Sequence, residues 1–305
     1  MKITKKLAAM VLALSMVLSL AACGGKDNSG SGAVTVTDMK GREIVLEQPA
    51  EKIVALTPSD CEILYAIGAG DKLVGRGEYC DYPAEVMDVP SVASGADTNI
   101  EQIIALDPDV LLMSDMAQTE EQVKQMEDAG IKVVVSDAKS IDDTYVAIEM
   151  IGKLMGKDEE AKTVIDTMKT TFQNVKDKAT GDGTKTVYFE VSPLEYGLWA
   201  AGAHTFMDEI AAMLGLKNCF ADVEGWSAIS EEQVLERNPD YIVSISMYFG
   251  EGPTPEEELL SRKGWENVPA IKDNKILNLR NNELARPGPR LADGAQMMAD
   301  FVYGE

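Results

Sequence analysis

Two stretches of this chain repeat one another. Residues 101–112 read EQIIALDPDVLL and residues 232–243 read EQVLERNPDYIV. Each is Glu-Gln, two aliphatic residues, a short spacer, Pro-Asp and an apolar run. Proline cannot continue a helix and biases the residue before it away from helical conformation. The motif is therefore a helix, a break and a buried strand. A common helix-to-strand connection would account for the Pro-Asp but not for the leading Glu-Gln. A duplicated helix–strand unit predicts two lobes of the same kind.

The residues around each copy agree. In the first half, strand-like runs at 52–56, 72–75, 110–113 and 132–135 alternate with helical patterns at 57–67, from Asn99, and at 119–129. In the second half, strands are expected at 186–191, 241–246 and 275–279, and helices at 205–214, 230–237 and 290–302. A hairpin around Lys40-Gly41, with arms at 34–38 and 43–46, leads the chain. Alternating strands and helices imply parallel sheets covered on both faces. Residues 141–178 carry no strand signal, while Ile148, Ile151, Leu154, Met155, Val164, Ile165, Met168 and Phe172 recur at helical spacing. The expected fold is α/β: two Rossmann-like three-layer lobes, 34–140 and 181–305, joined by a single long helix within 141–180 that is open to a kink at Gly156-Lys157. The ligand cleft would lie between the lobes, and one helical connector predicts a stiff clam with a modest closing movement.

The N-terminus speaks to location. Lys2, Lys5 and Lys6 precede an apolar run over 7–22, shorter than the roughly 20 residues of a spanning helix. This is the pattern of a secretory signal peptide. It ends Leu20-Ala21-Ala22-Cys23, resembling a bacterial lipobox in which Cys23 is acylated; a plain signal peptide with a chance cysteine is the alternative. Residues 1–22 are read as the signal peptide. Residues 23–33 form a Gly/Ser-rich tether. The expected location is extracytoplasmic, anchored to the plasma membrane by N-terminal lipidation.

Composition removes several function classes. The formal charge of −23 argues against nucleic acid and anionic lipid surfaces, though a cleft can be locally basic. Cys61, Cys80 and Cys219 form no CxxC pair, so no zinc cluster is suggested. One disulfide plus a thiol, or three buried thiols, both remain open. His204 is the only histidine, and carriers of bare zinc or manganese need several ligands of that kind. No metal site is expected, and His204 is read as a capping or surface residue, although a lone His or a Tyr can ligate haem iron. The 16 methionines are read as core packing. There is no nucleophile elbow, histidine triad or phosphate-cradling Gly motif, so no catalytic residue is expected and the chain reads as a non-enzyme.

Taken in order, VTVTDMKGREIVL, KIVALTPS, NIEQIIALDPDVLLM, SAISEEQVLERNPDYIV and RPGPRLADG resemble the periplasmic-binding-protein family of ABC importers for ferric siderophores, haem and cobalamin. The resemblance covers nearly all of residues 34–302. YCDYP, NCFADVEGWSAISEEQVL and NELARPGPRL look most like cobalamin-binding members. What it implies is a solute-binding protein, expected to be a monomer with no intrinsic cofactor. Such a protein carries a corrinoid or ferric chelate to a permease and, through it, to an ATPase. Competing readings are a haem-binding importer protein and a non-transport extracellular binding protein or enzyme on the same scaffold.

The candidate residues follow from position. Asn99-x-x-Gln102 and Ser230-x-x-Gln233 fit capping boxes, placing Glu101 and Glu232 in first helical turns, where the helix dipole favours an acid. That explanation suffices structurally. The resemblance adds that one acid per lobe pairs with basic residues of the permease, making Glu101 and Glu232 the docking candidates, with Glu231 a competitor. Ligands of open α/β sheets lie beyond the carboxyl ends of the strands, and the loops there supply Ser59, Tyr79 and Tyr82 from the first lobe. The second supplies Trp199, Trp226, Tyr248 and Arg286. Flat aromatics suit the face of a corrin, porphyrin or catecholate. Each of Tyr79, Tyr82 and Trp199 has the alternative of packing under its own loop, whereas Trp226 lies in a polar, Gly-rich stretch. Pro287 and Pro289 hold Arg286 in a stiff loop, where its guanidinium can bind carboxylate or amide oxygens or tie the loop to a helix end. Arg290 reads as the start of the last helix, and Arg76 as a weaker cleft cation.

Overall fold

The computed structural model describes residues 32–114, 119–246, 252–279 and 282–304; Cys23 and Tyr248 lie outside them. The chain opens with the expected hairpin, β1 (Val34–Thr37) antiparallel to β2 (Glu43–Leu46). The first lobe then runs β3 (Ile53–Ala55), α1 (Pro58–Ala66), β4 (Leu73–Gly77), β5 (Ser91–Val92), α2 (Ile100–Leu106), β6 (Val110–Met113), α3 (Glu120–Asp128) and β7 (Lys132–Val135). Its strands form one parallel sheet in the order β5-β4-β3-β6-β7. The order reverses at β3, so the crevice of this lobe opens at the carboxyl ends of β3 and β6.

Two helices follow, α4 (Ile141–Leu154) and α5 (Asp158–Lys178). The second lobe holds β8 (Thr186–Ser192), β9 (Trp199–Ala201), α6 (Phe206–Met213), β10 (Lys217–Asn218), β11 (Trp226–Ala228), α7 (Glu231–Arg237), β12 (Tyr241–Ser244), α8 (Pro255–Ser261), α9 (Pro269–Lys272), β13 (Ile276–Asn278) and α10 (Leu291–Tyr303). Here β10, β8, β12 and β13 are parallel, while β9 turns back antiparallel to β8 and pairs with β11. The expected α/β fold with two sheet-centred lobes holds.

The single long helix does not. Met155 caps α4, Gly156 sits at φ +65°, and α5 begins after Lys157. Helical periodicity survives such a break because both segments bury an apolar stripe, so spacing alone does not reveal it. α4 packs on β1 and α1 of the first lobe, and α5 packs on α4 and on α10 of the second. The 21-residue α5 is thus the element that spans the lobes.

The repeat has a mechanical reason that its sequence does not announce. α2 and α7 both end on a residue in left-handed conformation, Asp107 at φ 52° and Asn238 at φ 50°. The Asp of each Pro-Asp then reaches the adjacent central strand. Asp109 accepts hydrogen bonds from the backbone N–H groups of Glu51 (2.8 Å) and Lys52 (3.0 Å), just before β3. Asp240 accepts from the N–H of Thr186 (2.9 Å), which opens β8, and its partner Lys185 Nζ lies 2.7 Å away. Each carboxylate satisfies donors at a strand start and so fixes its register against the next strand.

Side chains alternate across both sheets. Val54, Leu56, Leu111 and Met113 face an outer cluster under α2 and α3. Tyr188 and Ile242 face the corresponding outer cluster of the second lobe, with Val234 of α7 and Trp265. Ile53, Ala55, Val110 and Leu112 face inward, as do Val187, Phe189 and Val243. These residues join α1, α4, α5, α6 and α10 in one apolar core continuous through both lobes.

Candidate ligand cleft

A cleft of 310 Å³ opens between the lobes. Thr57 and Ser59 follow β3, Tyr79 follows β4, Ser114 follows β6, and Ser136 and Asp137 follow β7. The opposite wall is Asn282, Ala285, Arg286 and Pro287, the loop ahead of α10. Helix α1 starts directly from β3 because Pro58 is pre-set for a first helical turn, and this puts Ser59 on the cleft wall. The hydroxyl of Thr57 does not cap α1; it donates to the carboxylate of Asp60 below.

Arg286 anchors the opposite wall to the first lobe. Its Nη1 donates to Asp81 Oδ1 (2.6 Å) and Glu62 Oε1 (3.1 Å), and Nη2 donates to the carbonyl of Tyr79 (3.3 Å). Burial opposes its charge, but Asp81 and Glu62 outweigh that and hold its pKa above the usual arginine value. Arg290 joins through Nε and Nη2 to Glu62 (2.9 and 2.6 Å). Its guanidinium lies 3.8 Å from the centre of the Tyr82 ring. Glu62 is only 3% exposed, so one first-lobe carboxylate is shared by two second-lobe arginines. Breaking such a buried set by removing one partner is strongly destabilising.

Of the residues expected at the site, Ser59, Tyr79 and Arg286 meet in this cleft. Tyr79 is 62% exposed, with its ring free to meet a ligand. Tyr82 lines an adjoining hollow with its face already against Arg290. The structure does not bring Trp199 and Trp226 to these walls. Both lie in strands rather than loops, β9 and β11, where Trp226 stands opposite Ala201. The ring of Trp226 packs 5.7 Å from that of Phe206 at the edge of the core. A chain reversal over 193–197, closed by Gly197 at φ +86°, makes β9 possible, and its short, polar surroundings resemble a loop in sequence. Arg76 is buried and donates to the carbonyls of Gly77, Glu78 and Cys80. It holds the loop that carries Tyr79 and is no cleft cation.

Sequence reasoning missed four acids. Glu62 and Asp60 sit within the apolar α1, where an acid at a buried position is the signal that was available; Asp81 and Glu283 gave none. Asp60 is fully buried. Burial pushes its carboxyl up to about 6, hydrogen bonds from Thr57 and Ser136 hold it back, and Asp137 adds to the rise. Its Oδ1 has no hydrogen-bond partner among the described residues.

The docking candidates lie at matching places. Each helix runs back from the carboxyl edge of its sheet into a central parallel strand, so the first turns of α2 and α7 lie at the carboxyl edges of the two sheets. Asn99 caps α2 through Gln102 N (3.0 Å), but Gln102 donates its amide to Ser91 instead of closing a capping box. Ser230 and Gln233 form the full box. Glu101 and Glu232 are exposed. Hydrogen bonds from its own N–H and from Ser230 hold Glu232 below the usual carboxylate range. Glu231 accepts from Trp265 Nε1 at 2.9 Å and is thereby occupied.

His204 is a surface residue at φ 60°, with Thr205 the cap of α6. The three cysteines of the folded body are free thiols. No group of metal-ligating side chains stands together among the described residues.

A family model described as periplasmic binding protein matches residues 53–283. A relative from Bacillus subtilis, named an uncharacterized ABC transporter substrate-binding lipoprotein, YvrC, is 34% identical over 97% of this chain and 96% of its own length. The chain belongs to the periplasmic binding protein family. A vitamin B12-binding protein of Yersinia pestis is 30% identical over 64% of this chain and 70% of its own. A solved structure from Staphylococcus epidermidis, described as a possible iron-binding (periplasmic solute-binding) protein, superposes with a TM-score of 0.68 at 31% identity. It covers 83% of this chain and 99% of that one. Members of this family bind solutes and are not enzymes, and the chain is a substrate-binding protein.

Proposed function

We propose that this protein is the lipid-anchored solute receptor of an ABC importer, capturing a bulky metal chelate, a corrinoid or a ferric siderophore, and delivering it to the permease. The observation that carries the reading is the cleft at the carboxyl edge of the first sheet. It is closed on the other side by the Arg286 loop and has the exposed Tyr79 ring at its rim. Exposed aromatic faces beside hydroxyls and a fixed guanidinium suit a flat chelate with a polar edge. The vitamin B12-binding and iron-binding relatives support the same ligand class. Absorption spectra of protein purified from its host, backed by titration, test this directly, because corrin, Soret and charge-transfer bands differ. A clean protein that binds no corrinoid, ferric siderophore or haemin at micromolar concentration refutes the ligand class.

A haem-carrying variant of the same reading rests on Tyr79, whose exposed phenol could serve as an axial ligand. A Soret band that is lost in Tyr79→Phe would select it.

Anchoring rests on Cys23 and the tether, with the lipoprotein relative in support. Cys23→Ala is expected to move the protein from the membrane fraction to the medium. Docking rests on Glu101 and Glu232, one per lobe, since charge complementarity sets register and encounter rate. Charge reversal at both should abolish uptake and leave ligand affinity intact. A loss of affinity would show that they serve the ligand instead. The receptor is proposed to act as a monomer.

A further inference from the structure

Beside the cleft, and sharing Asn282 with it, lies a hollow of 570 Å³ lined by Asp81, Tyr82, Glu283, Arg290 and Asp293 among others. Its charges do not balance. Among the described residues lining it, Asp81, Glu283 and Asp293 face one cation, Arg290, whose Nε and Nη2 are bound to Glu62 and whose flat face lies on Tyr82. Arg286, the next cation along, is bound to Glu62 and Asp81. On the far side the cation paired with Asp137 among the described residues is the exposed Lys139, at 3.4 Å. The two arginines are thus committed to first-lobe carboxylates, and Glu283 and Asp293 remain facing the hollow.

A second observation points to what the hollow receives. Glu283 is 8% exposed, and its Oε2 is buried without a hydrogen-bond partner among the described residues. A buried carboxylate oxygen without a donor is costly. It is relieved when something brings an N–H to it. Burial also raises the Asp293 carboxyl, Arg290 partly offsets this, and Glu283 adds to the rise. A second anionic edge in this hollow would meet like charge, whereas amide N–H groups would meet acceptors.

We infer that Glu283 and Asp293 make this end of the cleft a filter for ligand charge: the transported chelate is neutral or cationic with a carboxamide-bearing edge, and chelates edged with carboxylates or carrying net negative charge are rejected. This rests on the chelate-receptor reading above and narrows it.

Two matched pairs of probes test it on the full folded chain by titration. Cobinamide and cobyrinic acid share a corrin ring but carry amides and carboxylates respectively. A neutral ferric tris-hydroxamate and a trianionic ferric tris-catecholate make the second pair. In whichever pair binds, the amide-bearing or neutral member should bind at least about tenfold tighter, as one unmet buried acceptor warrants. Glu283→Gln should shrink that preference several-fold, chiefly by improving the anionic member. Asp293→Asn, at a less buried position, should shift it the same way and serves if the first variant folds poorly. Equal or tighter binding of the anionic member, or binding of haemin alone with its two carboxylates, overturns the inference and leaves the receptor reading standing. Failure of all five probes overturns the receptor reading itself.

Discussion

The central strands β3 and β8 hold the same place in the two repeated units. Ile53 stands opposite Val110 as Val187 stands opposite Tyr241, and Val110 and Tyr241 are equivalent in the repeat. For three residues both strands are buried and apolar. At the fourth they part. The first lobe has Leu56, packed in the outer cluster. The second has Glu190, 1% exposed, held by Arg262 at 2.7 and 3.0 Å. Arg262 follows α8, whose Glu258 completes the set; α8 and α9 join β12 to β13 where α3 alone joins β6 to β7. Burial raises Glu190 and the Arg262 charge works against that, while Glu258 and Glu190 hold Arg262 far above its usual value. The first lobe cancels its buried Glu62 in the same way, through Arg286 and Arg290, but it also buries Asp60 among hydroxyls, with no cation beside it among the described residues. That one buried acid is left able to titrate, beneath the cleft wall.

The largest effect should come from breaking the cancelled charge. Arg262→Ala strands Glu190 and is expected to cost about 3–5 kcal/mol in urea unfolding. Giving the second lobe the first lobe's solution, Glu190→Leu with Arg262→Met, should recover most of that loss. A double variant as unstable as the single one would show that the pair does more than offset itself.

Next in size is the uncancelled charge. The folded pKa of Asp60 lies above its unfolded value of 3.8, so ionising it costs stability. The cost is absent below about pH 4, grows through pH 6 and is complete by pH 7–8, reaching about 3 kcal/mol at most for a shift of this size. Asp60→Asn should therefore be more stable than the parent at pH 8 and indistinguishable at pH 4. A difference that does not change with pH would remove Asp60 as the titrating group.

Smaller still are the clamps that the lobes share. Asp109→Ala and Asp240→Ala should each cost about 1–2 kcal/mol, the usual scale for lost hydrogen bonds. Asp240 should cost the more, because its bonds are less exposed. Being far apart in separate lobes, the two losses should add. Last come Glu101→Lys and Glu232→Lys, exposed and peripheral, for which only a slight drop in unfolding midpoint is expected, from the lost attraction to the helix N-terminus.

The repeat carried much of this architecture in plain view. Proline positions marked both helix ends, and apolar runs at 110–113 and 132–135 coincide with β6 and β7. β9, β11, α8 and α9 were hidden because each is short and bordered by glycine, proline or charge. Their stability comes from partners far along the chain. The cleft was half legible. Position after a strand found Ser59, Tyr79 and Arg286, but Glu62 meets Arg286 across 224 residues, a pairing no local pattern encodes. Trp226 misled for the opposite reason: its neighbours are polar, while Phe206, its true contact, lies a strand away.

The apolar core that passes unbroken from one lobe to the other has a calorimetric meaning. Opening the lobes would wet that core, so little lobe closure is expected when a ligand binds. Binding then dehydrates the cleft walls and little else, and its heat-capacity change reports the ligand's own buried area rather than a closing of the lobes.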